Sequence, residues 1–206
     1  MPSEGPYRIA LVALFALLIG HRAWSLRRLA GAAPRPGLER LRNPGDLLNA
    51  LLGLLAGLAF LGYVLWPARL AFAALGLPAW LRWAGVGAGL AGLALLHASQ
   101  RALGAHWSLT PRLGARHELV RAGPYRRIRH PIYTGLLLVQ GSSLLIASNW
   151  AVGLTCLGAT ALDLLRKAHA EEALLHARFG AEYERYCRVT GRFLPRLGSG
   201  EEGRAR

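Results

Sequence analysis

The sequence predicts an all-α, polytopic membrane protein with about five transmembrane helices and a C-terminal cytoplasmic helix. Three observations carry that expectation. Leu47 to Trp66 is a run of twenty residues without one charge, the length that crosses a hydrocarbon core of about 30 Å. A soluble core helix rarely stays apolar on every side for so long. Apolar residues make up 53 % of the chain although its formal net charge is +14, and the basic residues gather in the segments between apolar runs.

In chain order, the first span is expected from about Tyr7 to Leu26, with His21 and Arg22 snorkelling near its end. Its apolar run, Ile9 to Ile19, has neither a strongly basic stretch before it nor a small-residue cleavage site after it. It therefore reads as a retained helix and not a signal peptide. A loop with Arg27, Arg28, Arg35, Arg40 and Arg42 follows. Asn43-Pro44-Gly45-Asp46 then breaks the chain, and Asp46 can cap the helix beginning at Leu47. Trp66-Pro67 supplies an interfacial aromatic and a helix stop.

The third span is expected from about Leu81 to Gln100, where Gly85 and Gly89 have the small-xxx-small spacing that lets helices pack closely. No strand precedes these glycines, so they are not a dinucleotide fingerprint. From Arg101 to His130 the chain is polar and carries seven arginines. A fourth span runs from Pro131 to about Ala147, and Ser148-Asn149 makes a tight turn. The fifth starts near Trp150 and is expected to continue beyond the membrane as one charged helix to about Tyr186, ahead of Gly191 and Pro195. Residues 1–103 would thus hold the first three spans and 104–196 the site-bearing core, with 197–206 a disordered tail.

Loop charges set the orientation. The segments after the first and third spans and the C-terminal segment are arginine-rich, whereas Arg69 is the single basic residue between Pro67 and Ala79 and the hairpin after the fourth span has none. The positive-inside rule places the N-terminus outside and the arginine-rich segments in the cytoplasm, as in a bacterial inner membrane. A nucleic-acid partner is excluded, because a binder of that class gathers its basic residues on one folded face. Cys156 and Cys187 offer neither a disulfide framework nor a CxxC motif. His21, His97, His106, His169 and His176 form no HxxxH or HExxH pair, so no metal is expected.

The candidate chemistry centres on Arg121 to Gly135, RAGPYRRIRHPIYTG. Pro131 suits the first turn of a helix, where its missing N–H had no partner to lose. The free N–H groups of that turn, the helix dipole and Arg129 together suit an anionic group, and Tyr125 and Tyr133 add flat rings. On the fifth helix Asp163, Lys167 and Glu171 fall at i, i+4 and i+8, with Glu172 about a quarter-turn away. A merely solvated face is the plain alternative. Against it, the stripe begins at Asp163 inside the apolar zone, where a carboxylate is costly without a partner. The short hairpin also brings this helix beside RHPIY.

The succession of HELV (His117–Val120), GPYRRIRHPIYTG, an apolar hairpin, Glu171-Glu172 and FGAEYERYCRVTGRFLPR resembles the isoprenylcysteine carboxyl methyltransferase and phospholipid methyltransferase families over roughly residues 104–196. The resemblance implies an integral-membrane enzyme using S-adenosyl-L-methionine without a Rossmann domain. By that likeness His117, Leu119, Val120, Tyr125, His130, Pro131, Ile132, Tyr133 and Glu171 hold the cofactor. Lys167, which stands at a substrate-facing arginine of the eukaryotic members, and Glu172 face the substrate. Thr110 stands where those members carry a cofactor-contacting glutamine, and Trp107-Ser108 resembles a short family segment. Arg129 or Lys167 would hold an acceptor carboxylate at the membrane edge, with a lipid-like tail among the membrane lipids. The acceptor nearest to the motif set is an isoprenylcysteine-like carboxylate; the amine of phosphatidylethanolamine and a small thiol are the alternatives. An NADPH-dependent, sterol-reductase-like enzyme also bears an RHPxY segment, but the adjacent acids Glu171 and Glu172 would repel a phosphorylated nucleotide.

Overall fold

The computed structural model describes residues 4–28, 44–104 and 119–196. Its helices are α1 (Gly5–Arg28), α2 (Pro44–Leu65), α3 (Ala79–Leu103), α4 (Pro131–Ala147), α5 (Trp150–Phe179) and α6 (Ala181–Val189), with 3-10 turns at Pro67–Ala73 and Gly123–Arg126. Among the described residues there is no strand, and isolated bridges pair Ala74 with Asn149 and Ile128 with Gly191. The fold is the all-helical one the hydropathy pattern implies. Among the described residues three helices, Gly5–Arg27, Gly45–Leu65 and Ala79–Leu103, are long and apolar enough to cross a membrane. The apolar helix α4 has 17 residues, about 25 Å at 1.5 Å per residue. Along α2 only 6 % of the apolar window is buried within the protein. Leu51, Leu54, Leu55, Leu58 and Leu61 are all at least half exposed, a surface that water would not tolerate and lipid does.

One expected element is interrupted. The charged helix does not run unbroken to Tyr186: α5 stops at Phe179, and Gly180, at φ +46°, turns the chain into α6. A left-handed glycine is the usual helix terminator because it lacks the Cβ that would clash there.

The chain forms two compact units. The first comprises residues 1–93 and 136–163. Its core gathers Leu11 and Leu14 of α1, Ala56 and Tyr63 of α2, Val139 and Ile146 of α4, and Val152 and Cys156 of α5. The glycine spacing works by contact. A Cβ on Gly85 would lie 2.7 Å from Leu145 Cβ, and one on Gly89 2.5 Å from Leu14 Cδ2 and 2.8 Å from Ser142 Oγ. Ser148-Asn149 forms the expected turn, with Ser148 at φ +48°. Asn149 Oδ1 accepts from Val152 N (3.2 Å) and its amide donates to Leu70 O (2.8 Å), so one side chain caps α5 and ties down the 3-10 turn.

This unit also holds a charged cluster. The buried Arg82 of α3 donates to both carboxylate oxygens of Glu4 (2.8 Å each) and to Ile146 O (3.0 Å). Its guanidinium lies 3.6 Å from the Tyr7 ring centroid, and Tyr63 donates to Glu4 (3.3 Å). The second unit, residues 94–135 and 164–206, carries the residues that resemble a cofactor site.

Candidate functional site

Local chemistry shapes the approach to α4. Gly123 takes φ +56° and Pro124 starts a 3-10 turn. That turn buries Tyr125, whose carbonyl accepts from the Tyr186 hydroxyl at 2.8 Å. The next residues run alongside the segment that follows α6. Gly191 N donates to Arg127 O (3.1 Å), Arg129 N to Gly191 O (2.8 Å) and His130 N to Arg192 O (3.0 Å). Only glycine fits at 191, because a Cβ there would collide with the Leu194 carbonyl oxygen. Pro131, fully buried, then opens α4, and Thr134 Oγ1 donates to Phe193 O at 2.6 Å. The returning C-terminal segment is thereby locked against the entrance of α4.

The acidic pair of α5 faces this entrance. Tyr133 donates its hydroxyl to Glu171 Oε1 at 2.5 Å. The His130 ring stacks on Tyr133, with centroids 5.2 Å apart and planes 3° from parallel. Its Nδ1 lies 3.6 Å from Glu171 Oε2 and its Nε2 3.1 Å from Glu172 Oε1. Glu172 also takes Arg129 Nε at 3.2 Å and Arg192 Nη2 at 2.9 Å. Three cationic side chains therefore converge on one carboxylate.

Burial by itself would push the His130 pKa down. Hydrogen bonds and charge from Glu171 and Glu172 outweigh it, and the pKa is raised above the ordinary histidine value. Burial likewise works against the Glu172 carboxylate, but the hydrogen bond and charge of His130, with Arg129 and Arg192, draw it down to about 2. The pair thus favours the protonated His130 ring, with Glu172 as its counter-ion.

The expected site residues fall as follows. His130, Pro131, Ile132, Tyr133 and Glu171 come together at the start of α4, with Tyr125 buried in the turn before it. Leu119 and Val120 are half-buried ahead of that turn, and Lys167 is half-buried one helical turn before Glu171. His117, Thr110 and Trp107-Ser108 lie outside the described residues, as does the tail 197–206. Arg129 has its Nε on Glu172 and its Nη1 on the carbonyls of Thr190 (2.7 Å) and Cys187 (3.3 Å). Its donors fasten α6 to the site. Glu172, expected toward the substrate, is surrounded by those protein cations. Arg192, Phe193 and Thr134 were not expected here. The Thr134–Phe193 and His130–Arg192 contacts span about sixty residues of chain and leave no local periodicity to read.

Residues 85–177 match the model of the isoprenylcysteine carboxyl methyltransferase (ICMT) family. Over that stretch, a little under half of the chain, the sequence resembles the ICMT family. The matched region includes α4, the acidic pair and most of α5. The solved structure of the eukaryotic intramembrane Ras methyltransferase ICMT, determined without a monobody, resembles this fold with a TM-score of 0.65. The similarity covers 92 % of this chain and 68 % of that one at 18 % identity, and it establishes the fold. No curated protein sequence matches the chain. The similarities thus join a helical fold with membrane-spanning apolar helices to a partial match with a methyltransferase family.

Proposed function

We propose that this chain is an ICMT-type enzyme that uses S-adenosyl-L-methionine to methylate an amphiphilic acceptor drawn from the bilayer, in the first instance an isoprenylcysteine-like carboxylate. The observation that carries the reading is the meeting of Tyr133, His130 and Glu171 at the start of α4. The residues fit the cofactor's parts. Glu171 keeps 31 % of its side chain exposed and suits an ammonium or a ribose diol. The N-terminus of α4, which opens on Pro131, has a dipole that suits a carboxylate. The stacked His130–Tyr133 pair offers a ring face to a second ring or to a sulfonium. The cofactor, when bound, supplies an electrophilic methyl group on sulfur.

The chain's own work is alignment. Glu172, Arg129 and Arg192 fix the His130 ring; His130 and Tyr133 fix Glu171. Lys167, half-buried one turn away, is the cation we assign to the acceptor carboxylate, while Arg129 acts by holding the site together. A carboxylate acceptor is already ionised and requires no general base, so in-line orientation and removal of water supply the acceleration. We place the N-terminus outside and this site at the cytoplasmic face, with α4 and the apolar half of α5 as the fourth and fifth spans.

The test is a transfer assay with labelled S-adenosylmethionine against prenylcysteine, phosphatidylethanolamine and small-thiol acceptors, with Glu171→Gln and His130→Ala as controls. Label in the prenylcysteine ester, lost in both variants, is expected. Transfer to an amine, with a rate that titrates on a single base, would replace the carboxylate by phosphatidylethanolamine.

A further inference from the structure

We propose that Arg192 supplies a second grip on a ligand carboxylate at this site, beside Lys167 or the first turn of α4, an inference that rests on the methyltransferase reading above. Its backbone is fixed beside His130, whose N–H donates to Arg192 O at 3.0 Å. Its guanidinium extends to the acidic pair, where Nη2 comes within 2.9 Å of Glu172 Oε2, and lies 5.5 Å from the Phe193 ring centroid. Nη1 donates to His169 Nε2 at 3.5 Å, a long bond to an exposed ring. The remaining edge is distinctive: neither Nε nor Nη2 makes a hydrogen bond, although both atoms are buried.

Buried guanidinium donors without an acceptor are costly, and a native structure rarely leaves them so. The Nε/Nη2 edge is also the one that grips a carboxylate with two parallel bonds. Glu172 pairs with this edge by charge only at Nη2, 2.9 Å from Oε2 but without a hydrogen bond, and its Oε1 is taken by Arg129 and His130, so Nε is left with no acceptor. The other arginine of the cluster is already committed, with Arg129 Nη1 on two backbone carbonyls. Side-chain exposure of 27 % leaves room for the guanidinium to turn its free edge toward a ligand. The sequence places this residue in a loop just before a proline, where an arginine attracts no notice.

Two ligands of the proposed reaction carry a carboxylate: the amino-acid end of the cofactor, and the acceptor. Calorimetric titration of the full chain in detergent separates them. The cofactor pair is S-adenosylhomocysteine and 5′-methylthioadenosine, which lacks the amino-acid end. The acceptor pair is S-farnesylcysteine and its methyl ester. Arg192→Gln is expected to weaken the carboxylate member of one pair about 30-fold, the scale of a lost charge-assisted bond, while its partner without the carboxylate binds as to the parent. Arg192→Lys should recover part of that loss, because it keeps the charge and forfeits the fork.

The pair that responds identifies the ligand. Equal weakening of all four ligands, or no weakening of any, overturns the proposal. A parent protein that binds neither cofactor analogue overturns the methyltransferase reading and the role of Arg192 with it. Loss confined to Arg192→Gln overturns the role of Arg192 alone when it fails to distinguish carboxylate from non-carboxylate ligands.

Discussion

At the residue scale, Glu172 governs the site although it touches no ligand in our reading. It neutralises Arg129, His130 and Arg192 together. The pH dependence follows from the two shifts. His130 has a folded pKa raised above 6.5, so the stability it contributes is complete below pH 6.5 and fades as pH rises through the folded value. Glu172 is lowered from 4.5 to about 2, so its contribution is complete above pH 4.5 and fades as pH falls toward 2. Thermal melts in detergent should therefore peak between pH 4.5 and 6.5 as far as this pair is concerned. Glu172→Gln should flatten both flanks, and an unchanged profile would remove the ion cluster from the stability of the fold. The same variant should lower the His130 pKa, read by imidazole proton chemical shifts.

At the scale of the element, the return of the chain after α6 matters as much as α4 itself. Gly191→Ala would drive a methyl into the Leu194 carbonyl oxygen and push the segment off residues 127–130. The expected cost is about 2 kcal/mol, seen as a lower melting temperature, together with weaker cofactor binding, since Arg192 and Phe193 move with it. Normal affinity in a destabilised variant would show that the return segment supports the fold but not the site. In the first unit, Arg82→Ala removes a side chain that bonds Glu4 and the Ile146 carbonyl from a buried position. Glu4 is 45 % exposed and can rehydrate, so the loss should sit near the low end for a broken pair, about 3 kcal/mol. Arg82→Lys should recover little, because a lysine cannot make the two-pronged contact.

These elements differ in how much of them the sequence discloses. The apolar runs mark α1 to α4 within a few residues, because lipid contact demands composition and not fine geometry. The meeting of Tyr133 with Glu171 was also legible, since a hairpin as short as Ser148-Asn149 leaves the α5 helix little choice of neighbour. The Gly180 break was written in FGAEY, yet the acidic and basic residues on either side have enough helix propensity to mask it. Arg82 could have been noticed as a cation in the first turn of an apolar helix, which demands a partner. That the partner is Glu4 depends on helix packing that no local pattern records. The bridge between Ile128 and Gly191 lies beyond sequence for the same reason.

At the scale of the whole molecule, the topology is open to a direct check. In a Cys187→Ser background, a cysteine introduced at the exposed Ala68 should react with a membrane-impermeant maleimide in intact cells, and one at the exposed Ala181 only after lysis. The reverse pattern would invert the orientation. The eukaryotic ICMT structure shares the fold and the partial family match points to methyl transfer; the cofactor itself is the claim on which everything else turns. The most direct measurement is calorimetric titration of the detergent-solubilised parent and its Glu171→Gln variant with S-adenosylhomocysteine and with NADPH. Saturable binding of S-adenosylhomocysteine to the parent, weakened at least tenfold in the variant and with no heat from NADPH, is the predicted result. Binding of NADPH alone, or S-adenosylhomocysteine affinity indifferent to Glu171, would contradict it.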